Sequence, residues 1–446
     1  MATLAFALER VKSELDKYLP TTVIERACHA AGHRWRRRKF DPVVTIQLFV
    51  LQVLCYNTAI THLRHLAKRP INAAAYCKAR MRLPLVVLQN LLEKSAEAIA
   101  DAPGRRLWCG LRTYLVDASS VIAPDTSDNQ KSFPQPKGQK KGCGFPVPKL
   151  LGLFDAYSGL IVRVLFFPLY THDLRGMPRV HRRLGQGDLL VADRAFCAYA
   201  HFALLSARAV MAVFRLHASQ NVSFRSGRRQ RRKGRRGKPR SEFVRRLGPG
   251  DQLVRWQRPR NRYRPKWMSA RQFQAIPQDL LIREIRFVLR ARGQRTRVVT
   301  LATTLLDPVL YPKKKIAELY GLRWTVETHF AELKTTLQMR RIKSKTAAGV
   351  QKEMVVFCLV YNLIHAIMLQ AAQRQQVTPD RISFIDTLRW LLSAEPGEPL
   401  PDLVVNPHRK GRHQPRVVKD RHDGYQRMTV PRSTMNRHPE RWPGRK

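Results

Sequence analysis

Tyr320-Gly-Leu-Arg-Trp-Thr-Val-Glu-Thr-His-Phe-Ala-Glu-Leu-Lys334 is the stretch of this 446-residue chain that says most about its fold. At about 100° per residue in an α-helix, Arg323 lies about 40° from Glu327, and Lys334 lies about 20° from it. Tyr320 joins the same face if the helix is continuous from its position onward. The neighbouring face carries five apolar residues at helical spacing, which we expect to be buried: Leu322, Val326, Phe330, Leu333 and Leu337.

An aligned Arg, Glu and Lys beside an apolar stripe has two interpretations. The carboxylate can bind a divalent metal ion while the two cations hold phosphate oxygens. An ordinary amphipathic helix with charge neighbours at i,i+4 and i,i+7 has the same pattern. The helix alone does not decide between these two interpretations. Acidic residues elsewhere in the chain that could join Glu327 at a metal site therefore bear on the choice.

Two further acids stand at the ends of apolar, strand-like runs. Asp117 lies in Tyr114-Leu-Val-Asp-Ala-Ser-Ser-Val121, and Asp193 ends Asp188-Leu-Leu-Val-Ala-Asp193. A buried carboxylate is costly without a partner, so two of them call for an explanation. Together with Glu327 they offer hard oxygen ligands, which suit Mg²⁺ or Mn²⁺ better than Zn²⁺. Two such ions, about 3.5–4 Å apart, activate the attacking oxygen and stabilise the leaving oxygen at a phosphodiester.

The order Asp, Asp and then Tyr-x2-Arg-x3-Glu-x6-Lys resembles the DDE transposases of bacterial insertion sequences, in particular the insertion-sequence-four family. The two Asp and the signature match at Asp117, Asp193, Tyr320, Arg323, Glu327 and Lys334. Gly321 is a mild departure, because a stronger helix former is expected at that position.

The resemblance implies an α/β protein with an RNase H-like core and a β-rich insertion between the second Asp and the catalytic Glu. It implies metal-dependent DNA cleavage and strand transfer, in the cut-and-paste transposition of an insertion sequence. Asp117, Asp193 and Glu327 would hold two Mg²⁺ or Mn²⁺ ions. The expected partners are double-stranded DNA, as transposon ends and target, and a second copy of the chain in a synaptic complex.

Several other residues are candidates for contacts with DNA. Arg323 and Lys334 would bind backbone phosphates near the scissile bond, with Tyr320 beside them. Arg194 directly follows the second Asp and either contacts phosphate or forms a structural ion pair. Two tryptophans of the insertion, Trp256 and Trp267, either stack on a flipped base or belong to the core.

Four residues near the acids are given no role in catalysis. His329 is expected to be an ordinary core or surface histidine, because Mg²⁺ prefers oxygen ligands. Ser119 and Ser120 lack the His–Asp pattern of a nucleophilic serine. Cys197 has no partner cysteine nearby.

Changes of composition along the chain predict five regions. A helical N-terminal region is followed by an α/β core, which is split by an insertion, and the chain closes with a basic tail. The helical region is either a DNA-binding module or a scaffold with a basic face. The boundaries are 1–105 for the helical region, 106–215 and 304–394 for the two parts of the core, 216–303 for the insertion with its basic loop Arg225–Arg240, and 395–446 for the tail.

Local patterns place the strands. Leu150–Tyr157 and Leu160–Leu169 predict a hairpin around the two-residue turn Ser158-Gly159. The insertion carries four strand-like runs: Glu242–Leu247, Gln252–Gln257, Leu280–Arg290 and Thr296–Thr303.

The net charge of +50, from 82 Lys and Arg against 32 Asp and Glu, calls for a polyanionic partner. Nucleic acid is favoured over membrane, because the apolar run Met354–Met368 is shorter than the ~20 residues of a spanning helix. That run also contains Asn362 and His365, so we expect a buried core helix. Seven scattered cysteines indicate neither a disulfide framework nor a zinc cluster. With no signal-peptide pattern, the expectation is a cytoplasmic, nucleoid-associated bacterial protein.

Three alternatives remain at this level. An RNase H-like metal-dependent nuclease without strand transfer would carry the same acids. A catalytically inactive DNA-binding relative is disfavoured, because all three acids are present. A chromatin or RNA-binding protein explains the charge but leaves the spaced acids without a role.

Overall fold

The computed structural model describes residues 13, 16–36, 38–66, 70–100, 106–172, 175–217, 220, 222–224, 237–289, 297–395, 397–407 and 425–437. Most of the predicted basic loop Arg225–Arg240 and of the basic tail therefore lies outside the described residues. The same holds for Leu4, Leu8, Val11 and Leu15, whose helical spacing with Leu19 predicts a first helix before Pro20.

Helices dominate the first hundred residues, as predicted. They span Thr21–Ala30, Pro42–Leu54, Leu63–Leu66, Ala73–Arg82 and Leu85–Ala100. The second begins at an Asp41 cap, whose side chain accepts from the Val44 amide at 2.8 Å, with proline in the first turn. The apolar pattern from Pro42 to Arg69, which a proline closes, predicts a single helix there, and this prediction is wrong. The chain breaks after Leu54, where Tyr56 and Asn57 take positive φ angles of 56° and 50°, which an α-helix does not accept.

The centre of the molecule is one nine-stranded sheet, which confirms the α/β class. The strands are β1 Arg112–Ser120, β2 Pro148–Asp155, β3 Ile161–Pro168, β4 Asp188–Ala192, β5 Met211–Arg215, β6 Arg240–Gly248, β7 Asp251–Gln257, β8 Asp279–Leu289 and β9 Arg297–Thr303. Their order is β3-β2-β1-β4-β5-β9-β8-β7-β6. β1 runs antiparallel to β2 and parallel to β4, and β4 runs parallel to β5.

The four strands predicted for the insertion correspond to β6–β9, with shifts of one or two residues at their ends. They do not form a separate sheet, because β9 pairs antiparallel with β5 through Val213 and Thr303. The insertion thus extends the central sheet on the side of β5. Short helices at Ser127–Ser132, Met177–His181, Tyr199–Ser206 and Ala270–Ala275 connect strands.

Helical segments follow β9. Residues 313–336, called here the signature helix, pass through Lys313–Gly321, a 3₁₀ turn Leu322–Trp324, Thr325–Ala331 and a π-helical segment Glu332–Thr336. Ala347–Arg374, the long helix, then packs against Leu85–Ala100, Pro42–Leu54 and β3. Shorter helices at Phe384–Ser393 and Arg432–Arg437 complete the described chain.

The long helix confirms the expectation of a buried core helix for Met354–Met368. Among the described helices it alone is long and apolar enough to cross a membrane. Its most apolar window is 89% buried inside the protein, as in the central helix of a soluble fold. Asn362 exchanges two 2.8 Å hydrogen bonds with the backbone of Ile161 on β3, which satisfies its polar side chain there.

Candidate active site

The two Asp meet because of the parallel pairing of β1 and β4. Val116 of β1 is opposite Ala192 of β4, so the next residues, Asp117 within β1 and Asp193 just after β4, are neighbours. Asp193 directly follows β4 and precedes a 3₁₀ turn that starts at Arg194. The sheet therefore brings together two acids that are 76 positions apart in the sequence (193 − 117).

Arg323 connects the signature helix to the sheet. Its Nη1 is 3.6 Å from Oδ2 of Asp117, and its Nη2 donates to Oε1 of Glu327 at 3.2 Å. The arginine is 7% exposed, whereas the Glu327 side chain is 64% exposed. One guanidinium thus balances an acid of the sheet and an acid of the helix, and Glu327 remains open to solvent.

The other two signature residues also reach the acidic strands. The Tyr320 hydroxyl donates to Oδ1 of Asp193 at 3.3 Å, and Lys334 Nζ donates to the Ser119 hydroxyl of β1 at 3.2 Å. The structure therefore collects both Asp and all four signature side chains in one place. Gly321 does not disturb this arrangement, because its φ and ψ of −58° and −35° are helical.

The signature helix is not a uniform α-helix, and one expectation about it is wrong. Val326, Phe330, Leu333 and Leu337 are buried as predicted, but Leu322 is 40% exposed. Leu322 opens the 3₁₀ turn, whose tighter winding turns this residue off the apolar stripe. Lys334 lies in the π-helical segment; such local widening of a helix is frequent at functional sites.

Burial and neighbouring charges set the protonation of the site. Burial lowers the pKa of Arg323, but Tyr320, Asp193 and Asp117 outweigh it and raise that pKa above its ordinary value. Burial, followed by the Asp193 charge, raises the pKa of Tyr320, so its hydroxyl keeps its proton. Burial, followed by Arg340, lowers the pKa of Lys334. The site thus offers a permanent cation and a neutral hydroxyl donor.

The donor chemistry of the three acids fits a divalent ion that takes oxygen ligands. In this structure, positive charge between Asp117 and Glu327 is supplied by Arg323. Their carboxylates are not a compact set of ligand atoms. The group of described residues with three ligand atoms within 4.8 Å of one another is instead His329, Glu332 and His365.

Arg215 is a member of the site that the sequence argument missed. Its Nη1 is 3.9 Å from Oδ1 of Asp193. The reason is again strand register, since Phe214 of β5 is opposite Ala192 of β4. The sequence feature that could have identified Arg215 is its position, as a basic residue at the end of the strand that pairs with β4. Arg194, which was a candidate, is exposed and lines a cavity of about 680 Å³ together with Asp193.

The two candidate tryptophans differ in their surroundings. Trp256 is 1% exposed, its indole N–H donates to Glu284 at 3.1 Å, and Phe202 packs edge-on against its ring. The structure thus places Trp256 in the core, which is one of the two interpretations that the sequence left open. Trp267 is partly buried and stacks on His201, with ring centroids 4.8 Å apart.

Comparisons with known proteins agree with this arrangement of residues. The family model described as "Transposase DDE domain" matches residues 108–363, which contain both Asp and the whole signature. The chain belongs to the DDE transposases. A curated relative is the transposase InsG for insertion sequence element IS4 of Escherichia coli strain K12, which is 25% identical over an alignment of 374 residues. The alignment covers 79% of this chain and 78% of that protein. This transposase is therefore similar, over most of its length, to a protein of insertion sequence element IS4.

A solved structure is similar to this transposase at a lower level. It is the piggyBac transposase synaptic complex with hairpin DNA, determined by cryo-EM, at 9% identity and a TM-score of 0.44. The similarity covers 86% of this chain and 79% of that one. At this TM-score the resemblance is too weak to support a conclusion.

Proposed function

We propose that Asp117, Asp193 and Glu327 are the catalytic acids of this transposase, which cleaves and joins DNA. The observation that carries this proposal is the Arg323 bridge, which brings Glu327 of the signature helix to Asp117 of β1. The β1–β4 register supports it by setting Asp193 beside Asp117. Acids from two strands and one helix converge, although 134 residues separate the second acid from the third (327 − 193).

Divalent metal dependence is a property of the DDE transposases, and the donor set here fits it. We infer that the three acids hold Mg²⁺ or Mn²⁺, as a pair of ions. When bound, such a pair lowers the pKa of the attacking hydroxyl or water and stabilises the leaving oxygen. Arg323 would then exchange its contacts with the carboxylates for contacts with phosphate oxygens.

The cationic side chains around the acids would bind the DNA backbone. Lys334 and Arg323 approach the acids from the helix, Arg215 from β5, and exposed Arg194 from the turn after β4. Fixed positive charge next to the scissile phosphate stabilises the charge that develops in the transition state. Tyr320 orients Asp193 through its hydroxyl. Trp267 remains a candidate for base stacking.

The order β3-β2-β1-β4-β5, with the two Asp on the adjacent strands β1 and β4, supports an RNase H-like core. In this proposal the core comprises 106–215 and 304–394, the insertion 216–303, and the basic tail 395–446. The helical region 1–105 would bind DNA. Four arginines line a cavity of about 230 Å³ in that region: Arg34, Arg36, Arg38 and Arg82.

DNA is the partner of a DDE transposase, and we propose that a homodimer holds the two ends of the element in a synaptic complex. The protein would act in the bacterial cytoplasm, at the nucleoid. If six to ten cations neutralise phosphates, DNA affinity falls by roughly 10³–10⁵ between 50 and 200 mM salt.

Purified full-length protein with Mg²⁺ and the inverted repeats that flank its gene tests the proposal. The wild-type protein should nick these ends and join them to target DNA. Glu327→Gln should abolish both steps while DNA binding persists. Strand cleavage by Glu327→Gln would refute the site assignment. Cleavage without joining by the wild-type protein would favour the nuclease alternative.

A further inference from the structure

A second cluster of metal-ligating side chains lies apart from the three acids. His329 and Glu332 belong to the signature helix, and His365 belongs to the long helix. Their ligand atoms all lie within 4.8 Å of one another, which no other trio of His, Cys, Asp or Glu among the described residues achieves. None of the three is one of the signature positions Tyr, Arg, Glu and Lys.

Two of the three distances between the ligand atoms are close to those of a tetrahedral metal site. Oε2 of Glu332 is 3.5 Å from Nδ1 of His329 and 3.4 Å from Nε2 of His365. Both distances are long for a hydrogen bond. In a tetrahedral site with bonds of about 2.0–2.1 Å, neighbouring ligand atoms lie about 3.3–3.4 Å apart. The two observed distances are close to that value.

The hydrogen bonding of His365 leaves Nε2 facing the Glu332 carboxylate. Its Nδ1 is 3.1 Å from the Ser158 carbonyl oxygen, which only accepts, so Nδ1 carries a proton. Nε2 lies 3.4 Å from Oε2 of Glu332, and either a proton on Nε2 or a cation between the two atoms balances the carboxylate. Metal-bound histidines typically donate their other N–H to a carbonyl or carboxylate in this way.

The neighbouring turn is shaped around the two rings. Gly159, between β2 and β3, has a φ of +72°, and a Cβ there would lie 2.8 Å from Cε1 of His365 and 3.0 Å from Cε1 of His329. The Tyr361 hydroxyl, 2.8 Å from Nδ1 of His329, donates to the Gly159 carbonyl at 3.1 Å. A cavity of about 450 Å³, lined by both histidines, provides access to the cluster.

We propose that His329, Glu332 and His365 bind one transition-metal ion. Two imidazoles and one carboxylate are a donor set of Zn²⁺ sites, whereas Mg²⁺ takes oxygen ligands. The ion joins the signature helix to the long helix, and both histidines pack on the β2–β3 turn. It thereby holds the helix that carries Glu327 against the core. This site does not depend on the catalytic role proposed for the three acids.

Metal titration of the full-length protein tests the site. The protein is stripped with a chelator and titrated with Co²⁺, whose visible absorption reports a four-coordinate environment, and then with Zn²⁺. We expect one equivalent per chain, with Co²⁺ displaced by Zn²⁺. His365→Asn and Glu332→Gln should lose this binding. Tyr361→Phe should keep this binding, because its hydroxyl bonds the same Nδ1 of His329 that the ion would take.

Two matched variants locate the ion. Glu327→Gln should keep the Co²⁺ absorption, because the acids are a different site, and so should His62→Asn, which alters an exposed histidine. Binding that survives in His365→Asn, or that Glu327→Gln abolishes, would overturn the proposal. Absence of Co²⁺ binding by the folded wild-type protein would also overturn it, and the cluster would then be a hydrogen-bond network. If His365→Asn fails to fold, the wild-type Co²⁺ absorption and its loss in Glu332→Gln decide.

Discussion

Replacing Arg323 by alanine separates the two roles proposed for this side chain, which are holding the acids together and assisting cleavage. At an effective dielectric constant of about 20, a guanidinium 3.6 Å from a carboxylate gains roughly 4–5 kcal/mol before desolvation is counted. Glu327 is mostly exposed and Asp117 partly so, which screens much of this attraction. We therefore expect the free energy of unfolding to fall by only about 1–2 kcal/mol.

The loss of activity should be larger than the loss of stability. Removing one preorganised cation or donor from a transition state typically costs about 10²–10³ in rate. Arg323→Ala should therefore lower the rate of end nicking by that factor, measured in single turnover on labelled inverted-repeat DNA. Arg323→Lys should recover only part of it, because an ammonium does not form the two-sided contact to Asp117 and Glu327.

Arg389→Ala is a matched control, because it removes the same charge from an exposed position on the helix Phe384–Ser393. It should nick DNA at the wild-type rate. Urea unfolding, followed by circular dichroism, checks the stability of both variants. If Arg323→Ala nicked the ends as fast as Arg389→Ala, the placement of Arg323 at the scissile phosphate would be refuted.

Three further predictions address other parts of the molecule. Tyr320→Phe removes the hydrogen bond to Asp193 and should cost about 0.5–1.5 kcal/mol of stability in urea unfolding; an unchanged midpoint would contradict that contact. Gly159→Ala should lower the melting temperature, since its Cβ would overlap the His365 ring in a left-handed backbone, whereas Gly185→Ala, with open space and no positive φ, serves as control. Burial, followed by the Arg208 charge, lowers the pKa of His181 to about 3. The contribution of this histidine to the free energy of unfolding is therefore complete above pH 6.5 and is lost as the pH falls from there towards 3. In His181→Leu, this part of the pH dependence of stability should be absent.

The sequence predicted most of the local structure because the relevant signals are short-range. Alternation of apolar residues located β6 to β9 within one or two residues, and helical spacing placed Arg323, Glu327 and Lys334 on one helix. The break after Leu54 was missed, since positive φ angles at Tyr56 and Asn57 have no apolar signature. The exposure of Leu322 was also missed, because a 3₁₀ turn changes the angular spacing that the pattern assumes.

Contacts between distant residues needed the tertiary structure. Arg215 reaches Asp193 only through the pairing of β4 with β5. Trp256 is in the core because Glu284 of a neighbouring strand accepts its indole N–H. No periodicity along one segment encodes such pairs, because they depend on sheet register.

The spacing of two Asp and a Tyr-Arg-Glu-Lys signature was by itself enough to indicate the family and the class of chemistry. Order and spacing are properties of the sequence itself, so they can be compared with a family signature before the packing is known. How Arg323 joins Glu327 to Asp117, and how His329 and Glu332 meet His365, was decided by the packing of the signature helix between the sheet and the long helix. Side chains of different elements approach within bonding distance only after the hydrophobic core has fixed the positions of their backbones.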